Sequence, residues 1–344
     1  MKYIHSKNTL LTVLTVVFVW LTLSTFSQEA LFPIEEKGKF GYINRSGKVV
    51  IAPQYEFAEL FSEGLAVVKL GGKKGFIDNT GKMIIQPVYE RTTNFSEGLA
   101  SGKKDGKWSF FDKTGKTVFD DLKCDYAYKF SGGMARLQVG IKIGFIDKSS
   151  NMVIRPEYDG AYDFAEGVAR VKKGDKWGYI DKTGKVVIDF QFDDCFDFSE
   201  GLANVRKGDE TTGKWGYIDK TGKMVIDFQF DRAWTFSDGF ALFRVGDFKK
   251  GKFGYIDKTG KIVIEPIYTG ADHFKEGLAC VSTSIDTKNP QWQYIDKTGK
   301  MVIPKSFDFL SSFKNGLAKA KFSDLKTGYN FGYIDKSGTC VWPR

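Results

Sequence analysis

Residues 176–203 read KWGYIDKTGKVVIDFQFDDCFDFSEGLA, and residues 214–241 read KWGYIDKTGKMVIDFQFDRAWTFSDGFA. Two stretches this alike are copies of one unit, and a unit copied in tandem signals a repeat architecture. Tracing the glycine of the W-G pair outward gives Gly41, Gly75, Ser109, Gly144, Gly178, Gly216, Gly254, Gln293 and Gly332. The spacings are 34, 34, 35, 34, 38, 38, 39 and 39 residues. Residues 38–344 therefore read as one array of eight full repeats and a C-terminal half-repeat. A length of 344 residues would otherwise suggest two ordinary domains.

Each unit parses into strands. W-G-Y-I-D and K-V-V-I are aromatic and β-branched runs separated by D-K-T-G, whose Asp and Gly suit a type I turn ending in a left-handed residue. The L-A-x-V run after E-G is a third strand, and a Gly-Lys-Asp turn leads back to W-G. The intervening segment, such as PEYDGAYDF at 156–164, lacks alternation and reads as a crossover. Composition agrees: 38 Gly and 31 Phe against 8 Pro fit short strands joined by tight turns. The expected fold is all-β, a tandem series of three-stranded antiparallel meanders.

The unit has one variable corner. From marker glycine to the Ala of G-L-A the distance is 25 residues in every repeat except the third, where it is 26. From that Ala to the next Trp/Phe position it is 8 in the first four repeats, then 12, 12, 13 and 13. The added residues fall in 207–214, 246–252, 282–291 and 323–330. Loops positioned by a rigid sheet are where recognition residues concentrate.

The segment before the array is of another kind. Residues 1–8 carry Lys2 and Lys7, no charge occurs from Thr9 to Gln28, and Ser27 with Thr25 supplies small residues for cleavage. This predicts a signal peptide over 1–27, followed by an N-terminal linker over 28–37 and an exported protein: periplasmic, cell-surface or secreted. The alternative is an uncleaved N-terminal membrane anchor, the one circumstance in which membrane contact is expected.

K-W-G-Y-I-D-K-T-G-K with a later F-S-E-G-L-A resembles the bacterial WG-repeat family, also called KWG repeats. The resemblance covers about Gly38 to Arg344, with Ser109 and Gln293 replacing the marker glycine and Ser150 replacing a turn glycine. It implies an exported or surface-associated protein without a general catalytic role. Two architectures suit such an array. A closed β-propeller typically uses four-stranded blades. An open solenoid-like stack asks each unit to touch only its neighbours. Counting three strands and finding alike hairpins at both ends, we expect the open stack, with the terminal hairpins as caps.

The residues supply little chemistry. Only His5 and His273 are present, no nucleophile or phosphate-loop motif occurs, and the acidic residues repeat with the fold. The protein is expected to be no enzyme, with no cofactor and no metal site. Cys124, Cys195, Cys280 and Cys340 replace apolar or aromatic residues in four different repeats, so buried, unpaired thiols are expected. Tyr42, Phe76, Phe110, Phe145, Tyr179, Tyr217, Tyr255, Tyr294 and Tyr333 share one slot and read as a core ladder.

Two rows remain as a candidate interaction surface. Lysines at the second turn position, among them Lys182, Lys220, Lys258 and Lys297, would form a basic ribbon. Trp177, Trp215 and Trp292, with Phe248 and Tyr329 in the lengthened corners, would supply stacking. The expected function is a non-enzymatic exported scaffold for a protein or cell-envelope partner. The alternative is a glycan- or polyanion-binding module using the Lys ribbon and the Trp/Phe row. An unknown protein or an envelope glycan is the expected partner, and nucleic acid is not expected of an exported chain.

Overall fold

The computed structural model describes residues 29–247, 249–286, 290–321 and 331–343. The leader expected over 1–27 lies outside them, as do Phe248 and Tyr329. Local geometry follows the turn chemistry. In the turn after Ile218, Asp219 Oδ1 accepts the backbone N–H groups of Thr221 and Lys223 at 2.8 and 3.1 Å and the Thr221 hydroxyl at 2.6 Å. Gly222 closes this turn at φ 84°. Ser150, which replaces that glycine in another repeat, takes φ 66°, and its N–H still reaches the Asp147 carbonyl at 3.1 Å. The turn survives because Asp147 fastens it independently, to Ser149 and Asn151.

The marker glycine is required by a close approach. A Cβ on Gly178 would lie 2.6 Å from the Ile188 carbonyl oxygen on the paired strand, where the register shifts between Trp177 and Tyr179. Where the glycine is lost, the neighbouring strand changes. Beside Ser109 the pairing becomes Trp108 with Leu122, and beside Gln293 only isolated bridges remain, Trp292 to Phe307 and Ile295 to Met301.

Among the described residues the strands form nine separate antiparallel sheets, seven of them four-stranded. Blade 1 holds Phe32–Glu36, Lys39–Ile43 and Val49–Tyr55; blade 2 holds Phe57–Ala58, Ala66–Leu70, Lys73–Ile77 and Met83–Tyr89. The same order recurs through blade 5 (Gly160–Ala161 to Val186–Phe192), blade 6 (Asp194–Cys195 to Met224–Phe230), blade 7 (Arg232–Ser237 to Ile262–Tyr268) and blade 8, which begins at Gly270–Ala271. Blade 9 runs from Phe309–Leu310 to Cys340–Trp342. Two expectations are corrected here. The crossover carries a fourth strand, often only two residues long, too short to show alternation. The segment 28–37 is no plain linker, because Phe32–Glu36 pairs in register with Lys39–Ile43 as the first strand of blade 1.

The open stack is corrected too: the blades close into a ring, a nine-bladed β-propeller. Nine sheets in a stack have eight junctions, and nine in a ring have nine. The buried apolar residues form nine clusters, each built from two adjacent blades. The ninth joins Phe32, Ile34 and Ile43 of blade 1 to Leu317, Tyr333, Val341 and Trp342 of blade 9. An open array would expose both faces. Burying large apolar side chains at about 1.5–3 kcal/mol each makes closure worth on the order of 10 kcal/mol in gross transfer terms, an upper figure. No sheet is shared across the seam, so the search for complementary terminal strands had no signal to find. Blades in this protein meet through side chains, and the terminal blades meet the same way.

Hydrogen bonds repeat at the junctions. The Tyr217 hydroxyl donates to the Trp234 carbonyl of the next blade at 2.7 Å, as Tyr179 does to Phe196 and Tyr255 to Asp272. The aromatic slot is the core ladder expected, and its tyrosines use their hydroxyls between blades. Burial pushes the Tyr217 and Tyr255 hydroxyls far above the ordinary tyrosine value, which keeps them donors.

Candidate functional site

Each blade has two chemically different ends. Antiparallel order puts the D-K-T-G turns and the S-E-G loops at one end, and the turns between the second and third strands, with the crossings between blades, at the other. We call them the relay end and the loop end.

At the relay end, Glu166 of blade 5 reaches the Gly201 N–H of blade 6 at 3.1 Å and the Lys220 ammonium of that blade at 3.0 Å. Glu63 with Lys113, Glu97 with Lys148, Glu200 with Lys258 and Glu276 with Lys336 repeat the pairing at 3.0–3.2 Å. These glutamates sit at φ 50–55°, a conformation that strains a side-chain-bearing residue by roughly 1–2 kcal/mol. The strain is matched by contacts that only a long carboxylate can make. Burial alone would raise the Glu166 pKa, but Lys220 and the Gly201 amide more than offset it and hold it below the ordinary range.

The basic ribbon is thus largely consumed inside the ring. Lys220 and Lys258 are paired, and Lys297 lies over the Phe240 ring at 5.7 Å. Lys182 has no carboxylate partner among the described residues, because Gly132 stands where a glutamate would; a Cβ there would be 3.7 Å from Lys182 Cε. The seam is also different: Arg45 of blade 1 faces Asn315 of blade 9, and with Glu29, Phe61 and Asn79 they line a cavity of about 430 Å³.

Trp177, Trp215 and Trp292 lie at the opposite end from these lysines. Trp177 is the second residue of the strand Lys176–Asp181, so it stands roughly 16 Å from Lys182 along the strand. The two rows proposed from sequence do not converge. Trp177 and Trp292 are half-buried, and Trp215 is 1% exposed. The lengthened corners of blades 6, 7 and 8, as far as they are described, belong to the loop end, and 323–330 lies outside the described residues.

Sequence reading missed the arginines of the second strands, mid-strand in Arg136 and Arg170 and nearer the loop end in Arg206 and Arg244. Arg136 binds Asp163 at 2.6 Å and Arg170 binds Asp197 at 2.8 Å, each also donating to a carbonyl of the next blade. In blades 6 and 7 the arrangement changes. Arg206 is the register partner of Asp194 and Trp215, and Arg232 is the register partner of Arg244. The Arg232 guanidinium lies 4.7 Å from the Trp215 ring, 5.5 Å from Phe196 and 5.8 Å from Trp234. The signal was an arginine just before each of two lengthened corners, Arg206 and Arg244, at different repeat positions from Arg136 and Arg170, with no periodic row to draw attention.

The cysteines divide. Cys195 and Cys280 are buried, and burial pushes both thiols up to about 12. Cys124 and Cys340 are only half-buried, a correction to the expectation that all four are core. Cys124 lies within the one repeat that is longer by a residue, and Cys340 lies on the last strand, its sulfur 3.4 Å from the Trp342 and Pro343 carbonyl oxygens.

A ring of antiparallel blades whose ends carry loops, without a cluster of three metal-ligating side chains among the described residues, defines a propeller scaffold. The WG-containing repeat family matches eight segments, residues 40–73, 75–108, 108–140, 143–177, 177–210, 215–247, 253–283 and 292–325, and the chain belongs to that family. Among solved structures it is similar to a eukaryotic initiation factor, with 14% identity, a TM-score of 0.64, and coverage of 91% of this chain and 95% of that one. It is also similar to Kluyveromyces lactis Hsv2p, with 8% identity, a TM-score of 0.42, and coverage of 70% and 92%. The first likeness bears on the fold alone. No curated protein matches in sequence.

Proposed function

We propose that the protein is a non-enzymatic, exported binding scaffold that presents the loop end of blades 6 to 9 to a protein or cell-envelope partner. The observation that carries this reading is the asymmetry of the ring. The relay end is cross-linked to itself by glutamate–lysine pairs, whereas the lengthened turns of blades 6 to 8, as far as they are described, lie at the other end. Lengthening confined to one corner of one end is the pattern of loops retained for contact. Export rests on the composition of residues 1–27.

The test is capture of envelope fractions by the processed protein at low and high salt, with the four long turns intact or trimmed to the short Lys172–Lys176 form. Retention at high salt that disappears on trimming supports a protein partner at the loop end. Unchanged capture after trimming overturns the assignment of the face. A second reading, an acidic glycan as partner, draws support from the arginines of the loop end rather than from the lysine ribbon.

A further inference from the structure

We propose that the seam cavity at the relay end takes an acidic peptide loop of a partner protein, its carboxylate held by the Gly64 N–H, Asn79 and Arg45 and its backbone N–H accepted by Asn315. This site lies at the opposite end of the ring from the lengthened turns and does not rest on the reading of that face.

The protein carries its own template for such a site. At six junctions a carboxylate in the loop after one blade's first strand accepts the glycine N–H of the same loop in the next blade. Glu63 does so with Gly98 at 3.0 Å, and Glu276 with Gly316 at 3.1 Å. At five of the six, a lysine of that next blade joins the carboxylate. A backbone N–H and a cation converging on one carboxylate make a strong, charge-assisted contact.

Blade 1 interrupts the series. Among the described residues it has three strands and no short first strand, so no such loop stands between Asn315 of blade 9 and Gly64 of blade 2. The cavity of about 430 Å³ lies there, lined by Gly64, Arg45, Asn79 and Asn315. Its size is in the range of sites that enclose a small ligand or a few residues of peptide. Asn315 stands in the glutamate slot and keeps its backbone, at φ 53° like Glu276, and Asn79 stands in the lysine slot. Both charged partners that a blade 1 loop would have met are amides. Neither is left as a lone charge, and both keep hydrogen-bonding capacity. Among the described residues the Gly64 N–H has no acceptor, and Arg45 has neither a hydrogen bond nor an ion pair. The Arg45 guanidinium stays beside the slot, its Nε 3.8 Å from where a Cβ on Gly316 would lie.

The distribution of donors and acceptors favours a peptide over a free acid. Gly64, Asn79 and Arg45 donate, whereas Asn315 stands where glutamates elsewhere accept a glycine N–H, and its amide oxygen can do the same. A free carboxylic acid has no N–H to offer there. Phe61 supplies an apolar wall, and Glu29, which also lines the cavity, disfavours a ligand carrying more than one negative charge.

The experiment is fluorescence anisotropy of the purified protein with a labelled, end-blocked peptide F-S-E-G-L-A, the sequence of residues 198–203. The peptide F-S-Q-G-L-A is the neutral control, and glutarate is the competitor that carries a carboxylate without a peptide N–H. The acidic peptide should bind saturably, the neutral one about 10- to 100-fold more weakly, and glutarate should compete poorly, since a charged hydrogen bond is worth about that factor. Arg45→Gln should weaken the acidic peptide about 10-fold or more. Asn315→Glu, which sets a carboxylate beside Arg45 as at the other junctions, should abolish its binding. Asn79→Lys restores the cation used at five junctions and should tighten binding about 10-fold, a gain that misfolding cannot mimic. Equal binding of the two peptides, glutarate competing as well as the acidic peptide, no gain in Asn79→Lys, or no binding at all overturns the proposal.

Discussion

The Tyr333 hydroxyl donates to the Pro33 carbonyl oxygen at 2.9 Å, across 300 residues of chain. Elsewhere the same slot reaches a carbonyl 17 residues ahead in the next blade, as Tyr42 reaches Glu59. The ring of Phe32 lies 5.5 Å from Tyr333. Among the described residues blade 1 has no short strand before Phe32–Glu36, so at the seam the tyrosine reaches the strand that pairs with Lys39–Ile43 instead. Tyr333→Phe should cost about 1 kcal/mol, the net worth of one such bond, in chemical denaturation. An unaltered midpoint would show that the seam does not hold the ring.

Gly47 tests closure from the other side. A Cβ there would sit 1.8 Å from the Val341 carbonyl oxygen, whereas Gly98, at a similar positive φ, has nothing within 4 Å. Gly98→Ala should cost about 1–2 kcal/mol for the left-handed backbone alone. Gly47→Ala should cost about 1–3 kcal/mol more, because the clash must push blade 1 off blade 9. Equal losses in a denaturant titration would argue against a packed seam.

The relay end makes stability depend on acid. Glu63, Glu97 and Glu166 are partly buried, which alone would raise them, but their lysine and backbone partners hold each below the ordinary glutamate value of about 4.3. A lowered folded pKa stabilises the fold above the unfolded value and loses that contribution as pH falls through the folded one. Stability should therefore drop below about pH 4, and the triple Glu→Gln variant should show a flatter acid limb with lower stability at pH 7. Parallel pH profiles for the two proteins would count against the relay.

Buried thiols should be inert. With Cys195 and Cys280 pushed up to about 12 by burial, the thiolate fraction at pH 8 is roughly one in ten thousand. Native alkylation should spare both, while denaturation without reductant should expose four thiols for titration. Fewer than four would mean that a disulfide forms.

Trimming the Lys207–Lys214 turn to the five-residue form should leave the melting midpoint nearly unchanged, since shortening a loop alters closure entropy by only ~0.6 kcal/mol per halving. A large fall would mean that the turn packs as part of blade 6.

Much of this protein was legible as a pattern. The W-G-Y-I-D and D-K-T-G signals placed the strands and turns, because turn conformation and pleat alternation are decided within a few residues. The same arithmetic located the lengthened corners, and those of blades 6 to 8, as far as they are described, share one end. What the sequence could not state is what meets across the chain. The two-residue strands such as Gly160–Ala161 exist only because a neighbouring strand pairs with them. The lysine row looked free until folding brought Glu166 to Lys220, 54 residues apart. Arg232 and Arg244 are 12 residues apart in sequence, yet only sheet register sets them face to face. Ring closure is the largest such decision. It depends on the angle at which each blade packs on the last, summed over nine junctions, and no local run of residues encodes that sum. Local chemistry settled the blade, and the packing of blade on blade settled the ring.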